Sequence, residues 1–137
     1  MIRIKGLDHV VIRASNMGAM IAFYRDVLGC AVERQSSPEF GLVQLRAGNS
    51  LIDIVSVDGA LGRAGGAAPG GQGRNMDHFC VSLDAFDEAA VRAHLSKFGV
   101  KGSALESRYG AEGFGPSIYI QDPEGNTVEL KGPPLEK

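Results

Sequence analysis

The chain has 137 residues, 44% of them hydrophobic and 22% charged, with 16 acidic side chains against 14 basic ones. That is enough to close one core of ordinary size, and a formal net charge of -2 with scattered basic residues excludes a surface built to displace phosphate counterions. The longest apolar runs fall far short of the roughly 18–20 residues of a bilayer span, and no charged-then-apolar start marks a secretory leader. The expected setting is therefore soluble and cytoplasmic, with neither nucleic acid nor membrane as a partner.

In chain order, Leu7-Asp8-His9-Val10-Val11-Ile12 opens a strand. Met17, Met20, Ile21, Tyr24, Val27 and Leu28 then recur at helical spacing, with Ser15 or Asn16 as cap and Gly29 as stop. Residues 30–35, 42–46 and 51–57 read as strands separated by Ser36-Ser37-Pro38 and Gly48-Asn49-Ser50. Residues 59–73 hold seven glycines and Pro69 without periodicity, which predicts a flexible connector, with a lid as the alternative.

The pattern then repeats. Met76-Asp77-His78-Phe79-Cys80-Val81 has the layout of the first segment, 69 residues later. Phe86, Ala90, Val91, Leu95 and Phe98 predict a second helix, with Asp84 as cap and Gly99 as stop. Strands follow at 100–105, 117–121 and 127–131, the last two joined by the turn Asp122-Pro123-Glu124-Gly125-Asn126. Residues 110–115 are glycine-bearing and read as a lid beside a pocket. The predicted class is α+β, one domain over 1–137 made of two βαβββ units, about 5–58 and 75–132, joined by the connector 59–74.

Strand parity supplies the spatial content. His9, Val11 and Arg13 fall on the face opposite Val10, Ile12 and Ala14, and His78, Cys80 and Ser82 fall opposite Phe79, Val81 and Leu83. Asp53 and Glu129 occupy the same face of the final strands if the more uniformly apolar sides carry the helices, and Ser117, Tyr119 and Gln121 line it too. An isolated strand histidine is commonly satisfied by a backbone or hydroxyl partner. A histidine repeated in both units, with a carboxylate in both final strands, points instead to a divalent cation, which removes the cost of burying such a set unpaired. His9, His78, Glu129 and Asp53 are the candidate ligands of zinc, nickel, cobalt, manganese or iron, with positions left open for substrate. Glu129 and then Asp53 are the candidate bases; Arg13, Tyr119 and Arg108 are candidates to line the substrate. Cys30 and Cys80 form no disulfide framework and no CxxC spacing.

The segments carrying these residues, with Ala22-Phe23-Tyr24-Arg25-Asp26-Val27-Leu28-Gly29 and the run from Ser117 to Leu130, resemble the vicinal oxygen chelate superfamily. That superfamily includes glyoxalase I, extradiol dioxygenases, methylmalonyl-CoA epimerase and the fosfomycin and bleomycin resistance proteins. The resemblance implies a cup-shaped mixed sheet with helices on its outer face, a metal in the cup, a small-molecule substrate and a homodimer. It maps His9, His78 and Glu129 onto metal ligands. Asp53 departs from it, standing where glyoxalase I has a glutamate and methylmalonyl-CoA epimerase a glutamine. The function expected is a divalent-metal-dependent lyase or isomerase of glyoxalase I type working through a metal-stabilised enediolate. The alternatives are an Fe(II) extradiol dioxygenase, which would want a further acid–base residue, and a non-catalytic resistance or ligand-binding protein, which would want more aromatic residues than the 7% present.

Overall fold

The computed structural model describes residues 1–134. The chain divides into two compact units, residues 1–70 and Gly71 onward. In the first unit, β1 (His9–Ala14) leads into α1 (Met17–Ala22), which widens into a π-helical turn (Phe23–Val27), and β2 (Val32–Gln35), β3 (Leu42–Ala47) and β4 (Ser50–Ser56) follow. The sheet order is β1-β4-β3-β2. In the second unit, β5 (Phe79–Ser82), α2 (Glu88–Lys97), β6 (Glu106–Gly110), β7 (Gly113–Gln121) and β8 (Thr127–Lys131) form a sheet in the order β5-β8-β7-β6. Both units thus have the βαβββ order expected, with the first strand parallel to the last and the rest antiparallel.

Asn16 caps α1, its side chain accepting from the Ala19 N–H at 3.0 Å. Met20, Phe23, Tyr24 and Val27 then bury one helical face, and Gly29, at φ 74°, ends the segment. In the second helix the cap is Asp87, accepting from Ala90 N–H at 3.0 Å, rather than Asp84. Leu95 is the buried helical residue there, while Phe98 lies exposed beside the His94 ring.

Two further expectations are corrected in the second unit. The strand after α2 is Glu106–Gly110, not 100–105. Carbonyls in 100–105 are taken instead by Arg92, whose Nη2 donates to Ser103 O at 2.8 Å, and Ser103 brackets Tyr119 through its N–H and hydroxyl. The 110–115 glycine stretch is strand and turn and not an irregular loop: Gly110 pairs with Gly113 across a two-residue turn, so the stretch is the β6–β7 hairpin. The Asp122 turn forms as expected, with Asp122 Oδ1 accepting from the N–H groups of Glu124 and Asn126 at 2.9 and 3.0 Å, and Gly125 at φ 81°.

The connector starts as a 3-10 turn, Gly62–Gly65. Arg13 straps it down: Nε donates to Gly62 O at 3.2 Å, Nη1 to Ala67 O at 3.1 Å and Nη2 to Gly66 O. Among the described residues no helix is long and apolar enough to cross a membrane.

Gly62 has no room for a side chain, since an added Cβ would stand 1.8 Å from the Ser56 carbonyl oxygen and 2.7 Å from its carbon. Backbone cannot yield as a side-chain tip does, and overpacking of this kind costs about 1–3 kcal/mol. Gly62→Ala should lower the thermal unfolding midpoint by several degrees, whereas Gly70→Ala, with open space around it, should leave it within one degree.

Candidate metal centre

Register decides which side chains share a face. In the first unit the β1–β4 ladder pairs His9 with Leu51 and Val11 with Asp53, and β3 places Gln44 opposite Asp53. His9 and Asp53 therefore lie on one face, a diagonal apart. In the second unit Cys80, Glu129 and Tyr119 form the corresponding row, with His78 one step before β5. The alternation read from the sequence holds in both: Ile12, Ala14 and Ile54 in the first unit, and Val128 and Leu130 in the second, are buried on the face opposite the acids.

The carboxylates are buried, Asp53 at 3% and Glu129 at 5% exposure. Asp53 Oδ2 accepts from Gln44 Nε2 at 3.1 Å, but Oδ1 is buried with no hydrogen-bond partner among the described residues. Glu129 is better served. Its Oε2 accepts from the Ser117 hydroxyl at 2.7 Å, and its Oε1 lies 3.2 Å from His78 Nε2.

Each histidine is oriented by the aspartate that precedes it. His9 Nδ1 lies 2.6 Å from Asp8 Oδ2, and His78 Nδ1 lies 2.7 Å from Asp77 Oδ2. Carboxylates on Nδ1 fix the tautomer and turn Nε2 outward as a ligand, the arrangement common behind metal-bound imidazoles. The hydrogen bond with Asp8, followed by the charges of Asp53 and Asp8 and opposed by partial burial, holds the His9 pKa above its ordinary value.

His78 supplies the test of fit. A neutral imidazole has one N–H, yet both ring nitrogens of His78 face carboxylate oxygens. A second positive centre, a proton or a cation, therefore belongs at Nε2. Two ligands about 2.0–2.2 Å from one ion stand roughly 3.0–3.5 Å apart, and the 3.2 Å between His78 Nε2 and Glu129 Oε1 matches that spacing. The unpartnered Asp53 Oδ1 asks for a positive partner in the same way. Imidazole and carboxylate donors suit the divalent cations expected from the sequence.

The structure thus gathers the candidate ligands as pairs, His9 with Asp53 in the first unit and His78 with Glu129 in the second. Among the described residues no group of three or more His, Cys, Asp or Glu is gathered into one ligand cluster. The candidates to line the substrate lie as follows. Arg13 holds the connector carbonyls; Arg108 Nη1 donates to Ser117 O and Oγ at 3.0 and 3.1 Å; Tyr119 stands edge-on to the His78 ring at 5.2 Å. A cavity of about 480 Å3 opens beside Tyr119, bordered by Val100, Lys101, Ser103 and Gln121, a size suited to a small molecule.

Residues not singled out from sequence complete the surroundings: Asp8, Asp77, Gln44 and Lys131. The repeated Asp-His dipeptide was the visible signal for the first two. Gln44 and Lys131 require the strand register. Lys131 is 5% exposed, and its Nζ donates to Gly113 O at 2.8 Å. It lies along the bare backbone of Gly110 and Gly115, where an added Cβ would meet the lysine at 3.0–3.2 Å.

Burial first, and then the Glu129 charge, push the Cys80 thiol up to about 11, with Lys131 opposing. Only the thiolate reacts, so in metal-free protein at pH 8 Cys80 should react with iodoacetamide roughly a hundredfold more slowly than in the urea-unfolded chain. Peptide-resolved labelling rates would show this; equal rates would contradict it.

A family model described as the Glyoxalase/Bleomycin resistance protein/Dioxygenase superfamily matches residues 6–130. The mitochondrial methylmalonyl-CoA epimerase of Mus musculus is 29% identical over 130 residues, which span 91% of this chain and 71% of that protein. A protein from the mobile metagenome of V. Pseudocholerae, VPC_CASS1, shares the fold at a TM-score of 0.76 and 24% identity, with 100% of this chain and 99% of that one covered. The lactoylglutathione lyase of Agrobacterium tumefaciens does so at a TM-score of 0.66 and 22% identity, with 93% of each chain covered. With the βαβββ order in both units and the match running almost end to end, the chain belongs to the Glyoxalase/Bleomycin resistance protein/Dioxygenase superfamily.

Proposed function

We propose that this protein is a divalent-metal-dependent isomerase or lyase that moves a carbon-bound proton next to a carbonyl group of a small substrate, with His9, Asp53, His78 and Glu129 as metal ligands. The observation that carries this reading is the His78 ring, both of whose nitrogens face carboxylate oxygens. The epimerase form is preferred, because the curated relatives are methylmalonyl-CoA epimerases at 28–29% identity. A homodimer is proposed on the family likeness.

When bound, the cation supplies Lewis-acid charge to a carbonyl oxygen and so acidifies the adjacent C–H. The chain's own residues do the rest. Ser117 holds Glu129 by Oε2 and Gln44 holds Asp53 by Oδ2; Asp53 Oδ1 has no partner among the described residues, and Glu129 Oε1, which faces His78, would carry a proton when it is released from the cation. A carboxylate so placed takes the proton from carbon, keeps it as O–H and gives a proton back. Delivery of a proton to the opposite face by a second acid inverts the centre, and return by the same carboxylate to the neighbouring carbon isomerises. No electrons leave the substrate, so no oxidant is consumed. Among the described residues the remaining histidine, His94, is on α2 and not in either strand row, which leaves the ring-cleaving alternative without its extra acid–base imidazole.

The test uses protein loaded separately with Zn2+, Ni2+, Co2+, Mn2+ and Fe2+, incubated in D2O with a methylmalonyl thioester and, in parallel, a thiohemiacetal. Solvent deuterium should appear at the substrate carbon with at least one metal, without oxygen uptake, and Glu129→Gln should slow exchange about 10²–10⁴-fold. Oxygen uptake with catechols under Fe2+ and no exchange with any substrate would overturn the reading.

Metal removal offers a second check. Asp53→Asn relieves a buried charge with one oxygen unsatisfied, so it should raise the stability of chelator-treated protein by about 1 kcal/mol while abolishing the stabilisation that added cation gives wild type. Thermal denaturation with and without chelator reads both effects.

A further inference from the structure

We propose that Arg108 is a positioning residue that aims both Glu129 and His78, and thereby sets the cation affinity of the second unit. This rests on the reading of those two residues as ligands. Arg108 lies on β6, the edge strand, opposite Gly115. From there its guanidinium supports the pair along two separate paths.

The first path is polar. Arg108 Nη1 donates to Ser117 Oγ at 3.1 Å, and the same hydroxyl is 2.7 Å from Glu129 Oε2. Guanidinium can only donate, so the hydroxyl must spend a lone pair on Arg108, and its single proton is directed at Glu129. Ser117 is fully buried, and no competing solvent acceptor reaches it. Oε2 is thereby pinned, and Oε1 is the oxygen turned to His78 Nε2.

The second path is through rings. Arg108 Cζ sits 4.2 Å over the centroid of Tyr119, and the Tyr119 ring meets the His78 ring edge-on, with centroids 5.2 Å apart and planes at 69°. The two paths close a circuit, Arg108–Ser117–Glu129–His78–Tyr119, in which one cation fixes the carboxylate by hydrogen bonding and the imidazole by stacking. Guanidinium does both at once because its plane stacks while its edge donates; an ammonium does one. Glu106, 4.0 Å from Arg108 Nη2 and largely exposed, adds little.

The experiment titrates metal-free protein with Zn2+ against a chromophoric chelator and, separately, records the Glu129 carboxylate 13C signal without metal. Arg108→Gln, Arg108→Lys and Ser117→Ala should each weaken Zn2+ binding about 10–100-fold and each move the Glu129 signal. The Arg108→Gln/Ser117→Ala pair should lose less than the product of the two single losses, because the polar path is common to both residues while the ring path belongs to Arg108 alone. Glu106→Gln should bind as wild type does. The Arg108 variants sit on an edge strand, so they keep the test intact even if Ser117→Ala fails to fold. Wild-type affinity in the Arg108 variants, full rescue by Arg108→Lys, or a substrate KM change with unaltered Zn2+ affinity would overturn the proposal. If wild type takes up no Zn2+ while the variants still shift the Glu129 signal, the circuit stands, the ligand reading is what has failed, and the positioning role for a cation falls with it.

Discussion

A carboxylate buried in the middle of a sheet is the constraint around which each unit is arranged. Asp53 and Glu129 sit in the last strand of their units, hydrogen-bonded to strands on both sides and almost shielded from water. A charge in that position has to be partnered, and leaving a buried polar atom unsatisfied costs about 1–3 kcal/mol. Glu129 meets the demand with a serine hydroxyl and an imidazole. Asp53 meets half of it through Gln44 and leaves Oδ1 bare. An apolar residue in either position would avoid that cost, as Ile52 and Ile54 do on the opposite face of the same strand.

The two units are one plan with different fillings. Val11–Asp53–Gln44 in the first corresponds by register to Cys80–Glu129–Tyr119 in the second. Both rows carry the acid at the centre, and both are preceded by an Asp-His dipeptide whose aspartate holds Nδ1. The supporting residues have diverged. Gln44 holds its acid directly across the ladder, whereas Tyr119 turns to stack between His78 and Arg108 and passes the task of hydrogen bonding to Ser117, one pair further along.

How much of this could be read from sequence follows from the range of each interaction. The duplicated Asp-His segments, the alternation in β1, β4, β5 and β8 and the Asp122 turn are local patterns, and they placed the strands, the shared face and the two acids correctly. The superfamily assignment rested on those same local motifs. What failed depended on partners distant in sequence. Residues 106–110, polar and ending in glycine, have weak strand character and are held as a strand by pairing with 113–117. Residues 100–105 looked more extended but lose carbonyls to Arg92. The glycines at 110 and 115 read as mobility, yet they are the bare backbone along which Lys131 lies, and no local signal links a lysine to glycines some twenty residues earlier.

The same reasoning changes where substrate recognition is to be sought. Arg13 and Arg108 are the two arginines that the sequence offers as candidates to line the substrate. In the structure Arg13 spends all three of its nitrogens on connector carbonyls, and Arg108 is engaged with Ser117 and the Tyr119 ring. Both guanidinium groups are thus already held in place by protein acceptors, and a ligand hydrogen bond to Arg13 Nε or Arg108 Nη1 would have to replace an existing one. Of the polar groups bordering the cavity beside Tyr119, Lys101 and Gln121 take no part in holding His78 or Glu129, whereas Ser103 is tied to the Tyr119 backbone. A change at Lys101 or Gln121 would alter that border without unpairing a buried carboxylate, whereas a change at the residues that hold Asp53 or Glu129 carries that cost.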